Sequence, residues 1–214
     1  MTAPLPDIPA LYAAFDAPVV PFDCGALCAP NNPRGVPFCC DQHWAVPAAF
    51  HHEWDYLRAH TDLWHEWAPV ESGITPDEAV ELQEDTPGHM CLLACQGAQH
   101  CQRGFRALSC RQFPFFPYLT SEMDFIGLAY DERFVADCWV LQHLDQVSDT
   151  YLRQFVALYD RLLADWPAEL TAYYLASQEM REDSEETGKP ITLLHREGGI
   201  VYIDPATEEI ISLD

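Results

Sequence analysis

The cysteines are the residues in this sequence whose number and spacing indicate a chemical role. Eight of the nine cysteines fall in two short windows, residues 24–40 and 91–110, each of which holds four. Core packing alone does not require such clustering. A thiolate-bound metal does, because soft sulfur ligands must converge on one point from several parts of the chain. Four thiolates bind one zinc ion or hold one iron–sulfur cluster, so eight would make one cluster and a second metal site, or two four-sulfur sites.

The adjacent pair Cys39-Cys40 allows two arrangements. Neighbouring side chains of an extended backbone point to opposite sides. The two sulfurs would then serve different metals, or one would ligate while the other supports the site. In a tight turn, both would reach a single metal.

Three arginines lie within nine residues beside cysteines of the second window. The guanidinium groups of Arg103, Arg106 and Arg111 would offset the negative charge of a thiolate-bound cluster and donate hydrogen bonds to sulfur. We therefore assign these arginines to cofactor binding, and ion pairing with surface carboxylates is the alternative.

Two histidines and an aromatic run also lie near these cysteines. His89 and His100 flank Cys91 and Cys101, so they are either substitute metal ligands or ordinary loop residues. The run 113–118 is interpreted as a lid that packs over the site and excludes water.

Composition narrows the classes of partner. The chain has 214 residues, of which 34 are acidic and 11 basic, and its formal net charge is -23. This charge repels phosphate backbones and anionic lipid, so neither nucleic acid nor a membrane is expected as a partner. A protein partner is left open. No phosphate-binding loop, dinucleotide fingerprint or serine-nucleophile elbow is present.

Residue usage also predicts the cellular compartment. The N-terminal region has no basic segment before its apolar residues, and no run of 18 apolar residues occurs, so neither a signal peptide nor a membrane span is predicted. We expect a cytoplasmic protein, in which thiols stay reduced and clustered cysteines are metal ligands or redox centres more often than disulfides. A thiol-redox or disulfide protein is a further hypothesis, although an odd number of cysteines cannot pair off completely.

The elements that would position these residues form an α+β fold. Apolar periodicity and capping signals predict helices at 48–67, 75–84, 131–144, 148–165 and 167–180. Residues 123–130 are predicted to be extended, and residues 191–195, 199–203 and 209–213 to form an antiparallel meander. The prediction is a mainly helical domain around irregular cysteine-rich loops, with a small C-terminal β-meander. Its parts are an N-terminal arm 1–23, a cysteine-cluster metal-binding domain 24–180, an acidic linker 181–190 and the meander appendage 191–214.

The order of the cysteines resembles the YkgJ-like cysteine-cluster family, also described as the CxxCxxCC zinc- or iron-chelating domain. That family has a cysteine quartet, a Cys followed by an apolar-Leu pair, a further Cys, a Cys-Arg-x-Phe-Pro motif and a late Cys. The matching positions, over about residues 24–140, are the quartet Cys24, Cys28, Cys39 and Cys40, then Cys91 with Leu92-Leu93, Cys101, the motif Cys110-Arg111-Gln112-Phe113-Pro114, and Cys138. The quartet is spaced by three, ten and zero residues here, against two, two and zero in the family. Cys95 is left over.

The resemblance implies a metal-binding protein that holds an iron–sulfur cluster, with [4Fe–4S] favoured, or zinc. The implied ligands are Cys24, Cys28, Cys39, Cys40, Cys91, Cys101, Cys110 and Cys138. Iron–sulfur is placed ahead of zinc because the arginines suit an anionic cluster. The flagellin lysine-N-methylase family has a similar cysteine arrangement. The alternative function is therefore an iron–sulfur-dependent enzyme of redox or group-transfer chemistry, such as methylation of protein side chains.

Overall fold

The computed structural model describes residues 7–212 and has an α+β fold, as predicted. Its helices are α1 (Ile8–Ala14), α2 (Gly25–Cys28), α3 (His51–His60), α4 (Pro69–Ser72), α5 (Pro76–Asp85), α6 (Leu108–Gln112), α7 (Asp149–Asp165) and α8 (Pro167–Thr187). Its strands are β1 (Ala48–Phe50), β2 (Trp64–Glu66), β3 (Met90–Cys95), β4 (Phe115–Leu119), β5 (Phe125–Tyr130), β6 (Ile191–His195), β7 (Ile200–Ile203) and β8 (Ile210–Ile211). Short 3₁₀ turns lie at Ala29–Asn31, Phe38–Cys40, Ala98–His100, Arg103–Phe105, Glu132–Phe134 and Leu144–Gln146. No helix within this described part of the chain is long and apolar enough to cross a membrane.

The smaller sheet has three antiparallel strands in the order β1-β3-β2. Strand β1 pairs with the first half of β3, where Ala49 is opposite Cys91, and β2 pairs with the second half, where Trp64 is opposite Cys95. The predicted single helix over 48–67 is therefore wrong at both ends. Pairing with β3 takes residues 48–50 and 64–66 into strands, and α3 ends where Thr61 becomes extended.

The larger sheet joins two distant parts of the chain. Its five antiparallel strands follow in the order β4-β5-β6-β7-β8, and at the junction Gly127 is opposite His195 and Leu128 is opposite Leu194. The meander predicted after residue 190 is therefore present, but it extends the β4–β5 hairpin and is not an appendage. Residue 213 of its third predicted strand lies outside the described residues.

Helix α8 takes up most of the segment 181–190, which was expected to be an acidic linker. The reason is Arg181, whose side chain is buried against the larger sheet. Its Nη1 donates a hydrogen bond of 2.7 Å to the Leu119 carbonyl and pairs with the Glu208 carboxylate at 3.1 Å. Gly188 then ends the helix in the left-handed conformation, with a φ of 66°.

The segment 131–144, predicted as a helix, folds as irregular turns. The Asp131 carboxylate accepts a hydrogen bond of 2.8 Å from the Arg133 N–H. The side-chain amide of Gln142 donates to the carbonyls of Val135 and Ala136, both at 2.9 Å. Side chains thus occupy backbone groups that a helix would pair internally, and this competition explains the difference.

The main hydrophobic core includes the N-terminal region. Ile8, Leu11 and Phe15 are almost completely buried, and the Phe15 ring contacts that of Phe155 in α7 with a centroid distance of 5.9 Å. From residue 7 onward, the segment expected to be an arm is therefore part of the core. Residues 1–6 of that predicted arm lie outside the described residues.

Candidate metal centre

Eight of the nine cysteines line two adjoining cavities. The first cavity has a volume of about 110 Å³, and its cysteines are Cys24, Cys28, Cys39, Cys110 and Cys138. The second has a volume of about 60 Å³, and its cysteines are Cys39, Cys40, Cys95, Cys101 and Cys110. Cys39, Cys110 and Arg106 line both cavities, so the two share a wall. All of these cysteines are free thiols.

Helix α2 brings two cysteines to the first cavity. Cys24 immediately precedes the helix and Cys28 is its last residue, so the two are four residues apart on one face. The helix packs closely against the turn that carries Cys39, because a Cβ on Gly25 would lie only 2.8 Å from Cγ of Pro37. Only glycine fits at this position without a shift of the proline ring.

The 3₁₀ turn that holds Cys39 and Cys40 is fixed by the buried carboxylate of Asp41. This carboxylate accepts hydrogen bonds from Asn32 Nδ2 at 3.0 Å and from Arg34 Nη1 at 3.1 Å. Both donors belong to the preceding loop, which is thereby closed onto the turn. The sulfurs of Cys39 and Cys40 lie 4.0 Å apart, and both residues line the second cavity, as expected for a tight turn.

The second window supplies cysteines from the end of a strand and from the loops that follow it. Cys95 is the last residue of β3, and Gly97, with a φ of 94°, turns the chain out of the strand. Cys101 follows the next 3₁₀ turn. Cys110 lies in the middle of α6.

Helix α6 is anchored by the buried carboxylate of Glu53 in α3. Its Oε1 accepts hydrogen bonds of 2.7 Å from the Leu108 N–H and from the Tyr12 hydroxyl. Its Oε2 accepts one of 3.3 Å from the Phe50 N–H. Burial raises the pKa of Glu53 to about 7, although these hydrogen bonds lower it. The first turn of the helix that carries Cys110 therefore depends on an acid from another element.

Cys110 lines the second cavity together with Cys40, Cys95 and Cys101. Burial raises its pKa well above the usual range, and the charges of Cys95, Cys40 and Cys101 add to the rise. Burial likewise raises the pKa of Cys95, with contributions from Cys40 and Cys101. These four thiols therefore form one electrostatically linked group.

Cys39 lines the first cavity together with Cys24 and Cys28. Hydrogen bonding with Cys40, followed by burial, raises the pKa of Cys39 well above its usual range, and the charges of Cys28 and Cys24 add to the rise. The same hydrogen bond lowers the pKa of Cys40. Cys138 belongs to this side as well, because it lines the first cavity with Cys24 and Cys28. Burial raises the pKa of Cys138 to about 11, and the charges of Cys24 and Cys28 contribute.

Arg106 is the charged side chain in the shared wall. Its Nε donates a hydrogen bond of 3.0 Å to Cys101 Sγ. Burial acts to lower the pKa of Arg106, but the hydrogen bond to Cys101 and the charges of Cys101, Cys40 and Cys110 outweigh burial, and the pKa is raised. The guanidinium is therefore a permanent positive charge beside both groups of thiols.

Arg111 and Arg103 also line the first cavity, but the two differ from Arg106. The guanidinium of Arg111 lies 4.1 Å from the centre of the Tyr12 ring. Its nitrogens donate hydrogen bonds of 2.7–3.3 Å to five backbone carbonyls, those of Tyr12, Phe15, Arg103, Gly104 and Arg106. Arg111 therefore fastens the end of α1 to the loop before α6, whereas Arg103 is exposed at the cavity.

The two cysteines of β3 have different surroundings. Cys91, which the resemblance places among the ligands, lines neither cavity, and its Sγ lies 3.6 Å from the Ala49 carbonyl oxygen. Burial raises its pKa, and the charges that add to the rise belong to carboxylates and not to cysteines. Cys95, which the resemblance leaves over, lines the second cavity. Residues four apart on a strand are separated by about 13 Å, so β3 brings only Cys95 to the site.

The two histidines and the aromatic run have separate roles. His89 Nε2 lies 2.6 Å from the buried Glu169 carboxylate, His100 is exposed, and neither lines a cavity. Phe113 and Pro114, at the start of the predicted lid, line the first cavity. The rest of that run is strand β4 of the larger sheet.

The thiols line the cavities but do not converge on one point. Within residues 7–212, no three His, Cys, Asp or Glu side chains are arranged so that they could hold a metal ion. The cysteines surround cavities several times larger than the 10–15 Å³ or so that one water needs. A cysteine has one side-chain torsion with three staggered positions, so its sulfur can turn toward a cavity without backbone movement. Free thiols beside a guanidinium are a donor set that fits a thiolate-bound metal.

Comparisons of the chain with models of known protein families, with curated proteins and with solved structures find no match.

Proposed function

We propose that this chain is a metal-binding protein that holds an iron–sulfur cluster, or zinc, through its clustered cysteines. The observation that carries the proposal is the gathering of eight free thiols around two cavities with a common wall. These thiols come from six separate places in the chain: α2 with the residue before it, the turn at Phe38–Cys40, the end of β3, the loop at residue 101, α6, and the turn at residue 138. Cysteines used only for packing need not share a cavity, and Cys91 lines neither of the two.

The charge and the space at the site support a metal. A bound metal removes the thiol proton, so the resulting thiolates carry negative charge. Arg106, already hydrogen-bonded to Cys101, would offset part of that charge. Because a guanidinium beside the thiols suits an anionic cluster, we place iron–sulfur first and zinc second. A cluster, when bound, supplies one-electron transfer at a potential set partly by hydrogen bonds to sulfur.

The resemblance of the cysteine order to the YkgJ-like family supports the same proposal. It predicts the same chemistry and seven of the eight cysteines that line the cavities, those at 24, 28, 39, 40, 101, 110 and 138. The structure-based ligand set differs from it at one position, since it includes Cys95 where the resemblance has Cys91.

Anaerobic purification followed by metal and sulfide analysis tests the proposal. Iron with acid-labile sulfide and a broad visible absorption band would support a cluster, and stoichiometric zinc in a colourless protein would support zinc. Cys110→Ser should lose at least half of the metal, whereas the matched control Cys91→Ser should keep all of it. A wild-type protein free of metal after anaerobic preparation, or full metal content in Cys110→Ser, would contradict the proposal.

A further inference from the structure

We propose that the exposed side of the first cavity binds a small organic oxyanion, a carboxylate or a phosphate monoester with a short apolar body. Arg103 and Arg106 hold the oxyanion, and apolar side chains of the cavity wall pack against the body. This site goes beyond the proposed metal centre and does not depend on the metal.

The distribution of ion pairs sets the arginines of this cavity apart. Within residues 7–212, six of the ten arginines form an ion pair with a carboxylate, namely Arg34, Arg58, Arg133, Arg161, Arg181 and Arg196. The other four are Arg103, Arg106, Arg111 and Arg153. Three of those four line the first cavity. In a chain with 34 acidic residues, guanidinium groups without a carboxylate are therefore concentrated at one place.

Arg103 and Arg106 have N–H groups to spare. The side chain of Arg103 makes no hydrogen bond or ion pair with any described residue, and it is exposed at the cavity. Arg106 donates from Nε to Cys101 Sγ, which leaves both of its Nη atoms without a partner among the described residues. Neither Nη is sealed from solvent, because the buried polar atoms that lack a partner are on other residues. Arg111 differs, since its nitrogens already donate to five carbonyls.

Free guanidinium N–H groups match the chemistry of an oxyanion. Two parallel N–H donors of one arginine meet two oxygens of a carboxylate or a phosphate. The net charge of the chain repels anions at a distance, but charges that line a partly enclosed cavity act at short range. Asp16 is the one carboxylate among the described residues of the cavity wall, and its Oδ1 accepts a hydrogen bond of 2.9 Å from Gln154 Nε2. Guanidinium groups therefore outnumber carboxylates in this cavity.

The size and the wall of the cavity define the rest of the ligand. Its apolar lining includes Phe15, Val19, Phe38, Phe113, Trp139 and Val140. An apolar cavity of about 150 Å³ holds one benzene molecule, so the volume of about 110 Å³ here takes a body of roughly four carbons. Butyrate and butyl phosphate join such a body to the two kinds of oxyanion and are therefore the probes.

Isothermal titration calorimetry on the protein as purified tests the site. At least one of butyrate and butyl phosphate should bind saturably with one molecule per chain, and the tighter of the two shows whether the site prefers a carboxylate or a phosphate. Butyramide, the neutral analogue of butyrate, should not bind at the same concentrations. Absence of saturable binding by both anions, or binding of butyramide as tight as that of the tighter anion, would overturn the proposal.

A pair of arginine variants locates the site. Arg103→Gln should weaken binding of the anion by at least about 10-fold, because it removes charge-assisted hydrogen bonds. Arg153→Gln is the matched control, since Arg153 is also exposed, donates only to Thr150 Oγ1 and lies outside the cavity. It should bind as the wild type does. Equal losses in the two variants would overturn the assignment to this cavity.

A variant expected to gain affinity covers the case in which Arg103→Gln fails to fold. Asp16→Asn should bind the anion more tightly than the wild type, because it removes the opposing charge and keeps an oxygen that accepts from Gln154. A misfolded protein cannot produce such a gain. An affinity that does not rise would contradict the proposal.

Metal content, measured on the same samples, separates this site from the proposed metal centre. Arg103→Gln should keep the metal of the wild type, since Arg103 donates to no cysteine sulfur. A loss of metal that parallels the loss of anion binding would assign Arg103 to the metal centre and overturn the anion site. A wild-type protein that binds the anion but no metal would instead overturn the proposed function and support this one.

Discussion

The carboxylate of Glu53 accepts a hydrogen bond of 2.7 Å from the backbone N–H of Leu108. Because Glu53 is 1% exposed and also binds the Tyr12 hydroxyl, this one acid joins α1, α3 and α6. The position of Cys110 in α6 therefore depends on a residue that is not itself a candidate ligand.

We expect Glu53 to make the protein less stable as the pH rises from about 4.5 to 7. Burial raises its pKa from 4.5 to about 7 on folding, so between these values the native state keeps a proton that the unfolded chain releases. The stabilisation is complete below pH 4.5 and is lost as the pH rises through 7, and it amounts to about 3 kcal/mol. Urea unfolding of wild type and Glu53→Gln across this range measures it. A difference between the two proteins that does not change with pH would contradict the prediction.

Arg111→Lys should destabilise the protein by about 3 kcal/mol, because an ammonium group cannot reproduce five hydrogen bonds to carbonyls made by one planar guanidinium. The free energy of unfolding in urea measures the loss. Arg133→Lys is the matched control, since its side chain is 86% exposed and pairs with Asp131, and it should cost less than about 1 kcal/mol. Equal effects of the two substitutions would count against the fastening role of Arg111.

Arg106→Gln should weaken metal binding without abolishing it. The substitution removes the positive charge and the hydrogen bond to Cys101 but leaves every proposed ligand in place. Loss of such a supporting group costs about 10–100-fold in metal affinity. Competition with a chromophoric chelator measures the affinity, and Arg103→Gln, at an exposed position on the first cavity, should have a smaller effect. Unchanged affinity in Arg106→Gln would refute the role of its charge.

Gly127→Ala should destabilise the protein by about 1–3 kcal/mol, the usual cost of overpacking. The added Cβ would lie 2.5 Å from the Leu194 carbonyl oxygen, at the point where β5 meets β6. Gly88→Ala is the control, because nothing lies within 4 Å of its added Cβ. Thermal unfolding of both variants measures the effect. If the two proteins melt alike, the junction between the hairpin and the meander is not as close as described.

Local signals in the sequence were sufficient for some elements and not for others. The bounds of α7 and β6 agree with prediction, because Ser148 caps α7 by accepting from the Tyr151 N–H and β6 begins directly after Pro190, two residues beyond Gly188. The predicted helix over 48–67 fails because its ends pair with β3, some 25 or more residues away in sequence. Long-range pairing of this kind leaves no local pattern to read.

The candidate site shows the same division. Cysteine clustering and the order of the motifs indicate which parts of the chain meet, but they do not separate Cys91 from Cys95, which strand geometry does. Arg111 illustrates the same limit. Its place in the Cys-Arg-x-Phe-Pro motif suggests contact with a cofactor, whereas its main partners include the Tyr12 and Phe15 carbonyls at the end of α1, about 100 residues earlier in the chain.

Strand β5 is paired with β4 on one edge and with β6 on the other, and most of its side chains are buried. During synthesis all nine cysteines have been added to the chain once residue 138 is reached, well before the residues of β6 are made. Until then the second edge of β5 is bare, and a bare apolar edge is a template for pairing between chains. A nonsense codon just ahead of Ile191 would therefore release a polypeptide that contains every cysteine but precipitates, because the edge of β5 stays unpaired.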